Sequence, residues 1–491
     1  FTDCTFNANR GGTGGLLVGD RGGDGVLELL GSDVTLTRCT LQSNEAGVGG
    51  GHGAVLAIDS TLEIVDSTVS QNNAVAGAMG FGTGAVAVGG TSSLTVLGTS
   101  FSDNIGVDGP GGIDIDQGVA FQIEESSFLR NEGASAAHAA GALHIRSAGT
   151  VVDCSFTANV GAAGAAGAVT IRNGGQIRAS LFQSNEGGIG SGPKAGAGAL
   201  ELQGQIDMVI RACEFFENVG GAFPGGTGGA GAVSIRGPHD SLLENCLMWR
   251  NVGGDGLLGG AGAVRVNSGS VIGRTEILNA TVTQNEAGAS SGPDAGAAGV
   301  QVTELSEPTI VNTISADNTG GDEIVCTDCS TGPTVVHSVV SGGYPGAGNL
   351  DVDPRFVGPL AGNFRLECPS PARDAGTSVG FSLPPRDLDG LPRVRDDEVD
   401  IGAYEVVSPG AGTRYCVSLP NSTGMAALID AGGCNSVGEE FLPLRARPVP
   451  NTVGLFYYGP AQIQIPFGDG FRCVGGGGGS FYRLRLRQIE N

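Results

Sequence analysis

The chain has 491 residues, 89 of them glycine, and sets 26 Lys and Arg against 50 Asp and Glu for a formal charge of −24. Glycine does not fall at every third position, and Val, Ile, Leu and Phe recur regularly, which excludes collagen and a disordered low-complexity chain alike. Cations are too few and too scattered for nucleic acid or an anionic membrane surface, and no apolar run reaches the roughly 18 residues of a transmembrane helix.

Residues 1–10, FTDCTFNANR, hold no charged and apolar leader and begin inside a motif that recurs later. The chain is therefore expected to be a piece of a longer one. The motif is an asparagine with an apolar residue three places before it and Cys, Ser, Thr or Ala five places before. It returns at Asn9, Asn44, Asn72, Asn104, Asn131, Asn159, Asn185, Asn218, Asn251, Asn285 and Asn318, the last with Ser315 in the apolar place. Phe6, Phe101, Phe128, Phe156, Phe182 and Phe215 fill the apolar place in six of them.

A glycine-rich stretch follows each asparagine and leads into a second tag of the form Gly-Ala-Val-x-Ile, as at Gly167–Ile171 and Gly231–Ile235. A third alternation, such as Leu94/Val96 or Phe121/Ile123, lies between the tags. Three short period-two runs per repeat spell strand, turn, strand, turn, strand, loop. One repeat cannot close a core, whereas stacked coils can pair each strand with its equivalent. The reading is an all-β parallel β-helix, right-handed and pectin-lyase-like, of eleven coils and about 50 Å at the β spacing. Asn is expected to take the left-handed corner itself and to hydrogen-bond its stacked neighbours. Domain boundaries are expected at 1–322 for the repeats, 323–407 for closing coils, and 408–491 for a small C-terminal β domain, possibly incomplete.

The paired tags resemble the FxxN and GGA[ILV] tetrapeptides of polymorphic outer-membrane proteins, whose surface-exposed passengers are β-helices and adhesins. Residues 349–405 run through Asp351, Asp353, Pro354, Phe356, Asp374, Gly376, Asp387, Asp389, Gly390 and Arg393 to Asp400-Ile401-Gly402-Ala403-Tyr404-Glu405. This order is similar to the closing segment of choice-of-anchor Q domain proteins, a family of secreted bacterial β-helices. The resemblance implies export and a capped β-helix, and it implies no catalytic residues. Tyr415–Gly424 and Cys473-Val-Gly-Gly are similar to a small β domain appended to large secreted bacterial proteins.

Cys4, Cys39, Cys154, Cys213 and Cys246 each stand five residues before a repeat Asn and form an inward column. Cys4 and Cys39, and Cys213 and Cys246, come within disulfide range with poorly aimed sulfurs, so buried thiols are favoured over bridges. Cys326, Cys329, Cys368, Cys416, Cys434 and Cys473 are the disulfide candidates, the pattern of an oxidising compartment. The Cys326-x-x-Cys329 spacing also fits half a zinc site or a redox pair, but no second ligand pair completes a zinc site.

Many β-helices act on acidic polysaccharides, and their sites lie on outward strand positions. The x column of the second tag reads Ala87, Asp114, His144, Thr170, Glu201, Ser234, Arg265 and Gln301, with Glu28 earlier. Glu28, Asp114 and Glu201 fall about 14 Å apart, too far for one calcium ion. Asp114 and Asp116, about 6.5–7 Å apart with His144 and Arg146 in the next coil, match the carboxyl spacing of an inverting glycosidase. The preferred reading of the same residues is an exposed ion-pair ladder. Asp387 and Asp389 are weak calcium candidates; His52, His239 and His337 are scattered, and no Gly-Lys-Ser/Thr marks a phosphate cradle. No cofactor is expected. The leading expectation is a non-enzymatic structural or adhesive protein at a bacterial surface, whose partners are copies of itself, head to tail, or surface and matrix components. A polysaccharide hydrolase or lyase is the alternative.

Overall fold

The computed structural model describes residues 1–12, 23–47, 50–75, 82–134, 139–190, 195–204, 207–237, 240–267, 274–292, 296–304, 306–329, 332–394, 398–406, 416–420, 422–431, 444–449, 453–454, 456–467, 470–475, 482–483 and 487–488. Two units divide the chain, Phe1–Leu366 with Pro371–Glu405, and Glu367–Ser370 with Val406–Asn491.

The first unit is a stack of three-strand coils. One coil runs Val86–Gly89, Ser93–Leu97 and Ser100–Ser102, and the next begins at Ile113–Ile115. The equivalents pair in parallel into three sheets: a tag sheet of 11 strands from Leu27–Leu30 to Ile324–Thr327, a middle sheet of 11 from Asp33–Thr37 to Thr334–Val336, and a Phe sheet of 12 from Thr5–Asn7 to Val339–Val340. Register follows the repeat, so Phe101, Phe128, Phe156, Phe182 and Phe215 oppose one another. Their rings stack with centroids 4.7–5.0 Å apart. Burying each ring fully contributes on the order of 2–3 kcal/mol, which one isolated coil could not realise.

Two columns of polar side chains hold the corners inside this core. Each repeat Asn donates from Nδ2 to Oδ1 of the next Asn at 2.7–3.1 Å. The same Oδ1 accepts the preceding Asn's backbone N–H, as Asn185 does for Asn159 at 2.9 Å. The second Nδ2 hydrogen goes to a carbonyl one coil back, such as Phe128 for Asn159 at 2.9 Å. The amide thus meets its hydrogen-bonding capacity, the condition for burying it. The ladder ends on Glu323, whose carboxylate accepts from Asn318 at 2.6 Å and Ser315 at 2.8 Å. Burial raises the Glu323 pKa against these hydrogen bonds.

The left-handed corner corrects the sequence expectation. Positive φ belongs to the residue before the asparagine, including Ala8, Gln71, Arg130, Ala158 and Gln284, all near 50–55°. Asn keeps its side chain turned inward to bond along the stack, and its neighbour carries the strain. A second corner precedes the Cys/Ser/Thr column, where Ser67 donates to Val65 O at 2.8 Å and accepts the N–H of Cys39 at 3.0 Å. Cys154 Sγ likewise donates to Val152 O, and the Cys154 N–H donates to Ser180 Oγ. The column takes small side chains, and all but Ala280 bear a hydrogen-bond donor, which is why Cys, Ser and Thr recur in it.

Glycine-rich stretches form a further layer bonded backbone to backbone. Gly188, Gly196, Gly221, Gly229, Gly254, Gly260 and Gly288 each donate to the preceding member, beginning from Ala165 O, at 2.8–3.0 Å. A Cβ on Gly196 or Gly229 would stand 1.7 or 1.8 Å from a neighbouring carbonyl oxygen. Only glycine lets backbones approach this closely.

After Val339–Val340 the chain runs along the outer face of the Phe sheet. Phe364 packs edge-on against Trp249 and Phe356 at 5.4 and 5.3 Å. Asn312 holds Thr377 through both side-chain atoms at 2.8 Å, and its carbonyl accepts from Gly402 at 2.8 Å. Gly402, at φ +112°, lies where a Cβ would meet the Ile314 side chain at 2.8 Å.

The second unit contains short antiparallel pairs, the longest joining Ala461–Phe467 to Gly470–Gly475, and a Cys416–Cys473 disulfide.

Candidate functional site

The tag-sheet column on which chemistry was sought is buried, not exposed. Asp114 opposes His144, His144 opposes Thr170, and the register continues through Glu201, Ser234 and Arg265 to Gln301. None of these is more than 8% exposed; Glu28, in the first tag strand, is exposed. The reason is the glycine layer, which turns back over this face. Arg236 donates to Ala195 O at 3.1 Å, Gln301 to Gly259 O at 3.4 Å, and Arg265 reaches Gly228 O at 3.5 Å. Period-two reasoning placed these side chains outward correctly, but outward from the sheet is not outward from the protein.

Asp114, Asp116, His144 and Arg146 do come together. Arg146 Nη2 lies 3.0 Å from Asp114 Oδ2 and its Nε 3.5 Å from Asp116 Oδ1, while His144 Nδ1 lies 3.3 Å from Asp114 Oδ1. The Asp114 side chain is 9% exposed and that of Asp116 51%. Burial pushes the Asp114 carboxyl up, but the hydrogen bond and charge of His144, with Arg146 and His52, outweigh it and leave the carboxyl below its ordinary value. One guanidinium therefore holds both carboxylates, and the buried one is stabilised as an anion. A glycosidase general acid needs the opposite shift. Of the other histidines, His52 accepts the Thr83 N–H at 3.2 Å, His337 occupies a corner at φ 46°, and His239 lies outside the described residues.

Asp387 and Asp389 are committed to protein donors. Asp387 accepts from Leu391 and Glu405 N–H at 2.6 and 2.7 Å, and Asp389 pairs with Arg365. They flank a network that sequence reasoning missed. Arg393, fully buried, donates to Glu405 at 3.0 Å, Asn245 at 2.8 Å, Gly402 O at 3.0 Å and Ala403 O at 2.9 Å. Burial and Asp400 push the Glu405 carboxyl up to about 9 against the pull of Arg393. Asp387 and Asp400 also act on the Arg393 guanidinium, whose pKa burial lowers. The available signal was a run of acids around a single arginine in residues 387–405. No group of three or more His, Cys, Asp or Glu is placed to hold a metal among the described residues.

Cys326 and Cys329 form a disulfide, and Cys368 is also disulfide-bonded. Cys434 lies outside the described residues. The five column cysteines are free. Burial pushes the Cys154 thiol up to about 11 and the Cys246 thiol up to about 12, which keeps both from forming the reactive thiolate.

A family model described as a right handed beta helix region matches residues 1–195. Among curated proteins, none matches the chain. Among solved structures, the crystal structure of pectate lyase Pel9A is similar, at 13% identity over 71% of this chain and 88% of that one, with a TM-score of 0.35. What the family match and the three stacked sheets establish together is an all-β parallel β-helix.

Proposed function

We propose that the chain is a non-enzymatic structural or adhesive element of an extracellular surface, in which the β-helix serves as a stiff spacer or building block. One observation carries this reading. The polar groups most capable of chemistry, from Asp114 to Gln301 along the tag sheet, lie beneath the glycine layer and are at most 8% exposed. The continuous Asn ladder, with a five-ring Phe stack over the central coils, gives successive coils the same internal bonding, which favours a rigid rod over a cleft that must open and close. The likeness of the tags to those of polymorphic outer-membrane proteins, and of residues 349–405 to the closing segment of choice-of-anchor Q proteins, supports the surface setting. Disulfides are compatible with it, and no described helix is long and apolar enough to cross a membrane.

Reducing-end and unsaturated-product release from a panel of neutral and acidic polysaccharides tests the reading against the alternative of a hydrolase or lyase. No turnover is expected. Sustained turnover abolished by Asp114→Asn or Asp116→Asn would overturn it. Its building-block form, with copies meeting head to tail, is tested by electron microscopy at high concentration. Ordered fibres support that form, whereas isolated short rods remove it and leave the spacer or adhesin.

A further inference from the structure

A column of residues leaves the tag strands one place beyond their last inward side chain. Ile115 opposes Ile145, Ile145 opposes Ile171, Ile171 opposes Leu202, and Gln203 opposes Arg236. The positions that follow are Asp116, Arg146, Arg172, Gln203 and Arg236. Three of these five are arginine, on coils about 4.8 Å apart. Like charges stacked at this spacing destabilise a sheet unless counter-charge intervenes.

Two of the arginines have it. Arg146 is paired with Asp114 and Asp116, and Arg236 Nη1 lies 2.8 Å from Glu201 Oε1. Arg172 does not. It makes no ion pair or hydrogen bond through its side chain among the described residues, and its Nε is buried without a partner. This unpaired guanidinium belongs to a chain with nearly twice as many acids as bases. Its charged surroundings are mixed: burial and then Arg146 lower the Arg172 pKa, against the weaker pull of Glu201 and Asp114.

The space beside Arg172 suits what is missing. A surface depression of about 440 Å³ is lined by Arg172, Asn173, Gln203 and Gly204. Asn173 uses one amide hydrogen on Arg146 O at 3.2 Å and keeps the other. The Gln203 amide has no partner among the described residues. Gly204, at φ +126°, lies where a Cβ would stand 1.7 Å from Arg172 O, so a side chain at this point would strain or clash. A planar fork of donors with two amides beside it matches the geometry of a carboxylate.

We propose that Arg172 anchors a surface site for a carboxylate, received in the depression between its guanidinium and the amides of Asn173 and Gln203. The carboxylate is either a small free acid or a group pendant on a polymer. The site is independent of the structural reading above, since a spacer and an enzyme could each carry it.

The test is thermal unfolding of the whole chain at pH 7 in sodium acetate against sodium chloride at equal ionic strength, for the wild type and Arg172→Gln. Glutamine already stands one coil on in the same column, at Gln203, and circular dichroism checks that the variant folds. Acetate is expected to raise the wild-type midpoint saturably, with half-effect on the order of 1–50 mM for one charge-assisted pair. Chloride should not reproduce the rise, and the variant should lose it. An absent acetate-specific rise, or an equal rise in the variant, overturns the proposal. Should the substitution disturb the coil, acetate titration of the wild-type Arg172 Nε–H resonance decides: a saturable shift supports the site and a static resonance overturns it. Polyacrylate then separates the sources. Tighter binding per carboxylate than acetate, lost in Arg172→Gln, assigns a pendant group, and equal binding assigns a small acid.

Discussion

Over the tag sheet the covering is backbone, and over the later coils of the Phe sheet it is side chain. The glycine layer hides the tag face by approach so close that Gly196 and Gly229 admit no Cβ. Polar side chains beneath it meet carbonyls at 3.1–3.5 Å, and several atoms, among them Thr170 Oγ1, Glu201 Oε2 and Gln301 Oε1, find no hydrogen-bond partner. Residues 351–366, 371–394 and 398–405 instead cover Trp249, Thr281 and Ile314 with Phe364, Gly402 and a converging set of hydrogen bonds about Arg393. Earlier coils of the Phe sheet, which carry Ser100, Ser102, Ser127 and Ser155 outward, stay half-buried. A repeated backbone layer tolerates varied side chains below it but no Cβ at its closest approaches, such as Gly196 and Gly229. A side-chain cover works once, and depends on a few residues that must all be present.

The largest effect should come from breaking the side-chain cover. Arg393→Ala leaves the buried Glu405 carboxyl without its guanidinium partner and is expected to cost about 3–5 kcal/mol, read by urea unfolding. Hydrogen exchange should rise first across residues 372–405, and uniform exchange across all coils would count against a local role.

The two covers should also part company with pH. Glu405 has a folded pKa of about 9, above its unfolded value, so its contribution is complete below the unfolded value and is lost as pH rises through about 9. Asp114 is depressed, so its contribution is present above the unfolded value and is lost as pH falls through the folded one. Protection factors, with the intrinsic base-catalysed rate divided out, should fall in peptides spanning 385–405 toward alkaline pH and in those near 111–116 toward acid. The same direction in both would refute the assignment.

A smaller loss, about 1–3 kcal/mol, is expected from Gly229→Ala, whose new Cβ would meet Gly196 O at 1.8 Å. Gly12→Ala is the control, because nothing lies within 4 Å of a Cβ there. Equal midpoints for the two variants would show that the layer yields easily. The smallest change is expected for Cys154→Ser, under about 1 kcal/mol. Ser126 and Ser180 already serve in the same column, and the native Cys154 thiol should resist alkylation until unfolding.

Sequence by itself determined the coil. Repeat spacing, the alternation Leu94/Val96 and the recurring Phe and Asn dictate parallel stacking in register, because only equivalent residues brought opposite one another can bury the rings and satisfy the amides. It also placed Asp114, Asp116, His144 and Arg146 together, since period two and the coil repeat fix which side chains are neighbours. Three things were left to the tertiary structure: that the glycine stretches fold over the tag face and bury that cluster, that the left-handed corner falls one residue before each Asn, and that Arg393 binds Asn245 from 148 residues away. Glycine carries no side-chain pattern from which its packing partner can be read. A contact such as Arg393 to Asn245 occurs once, so no repetition in the chain announces it.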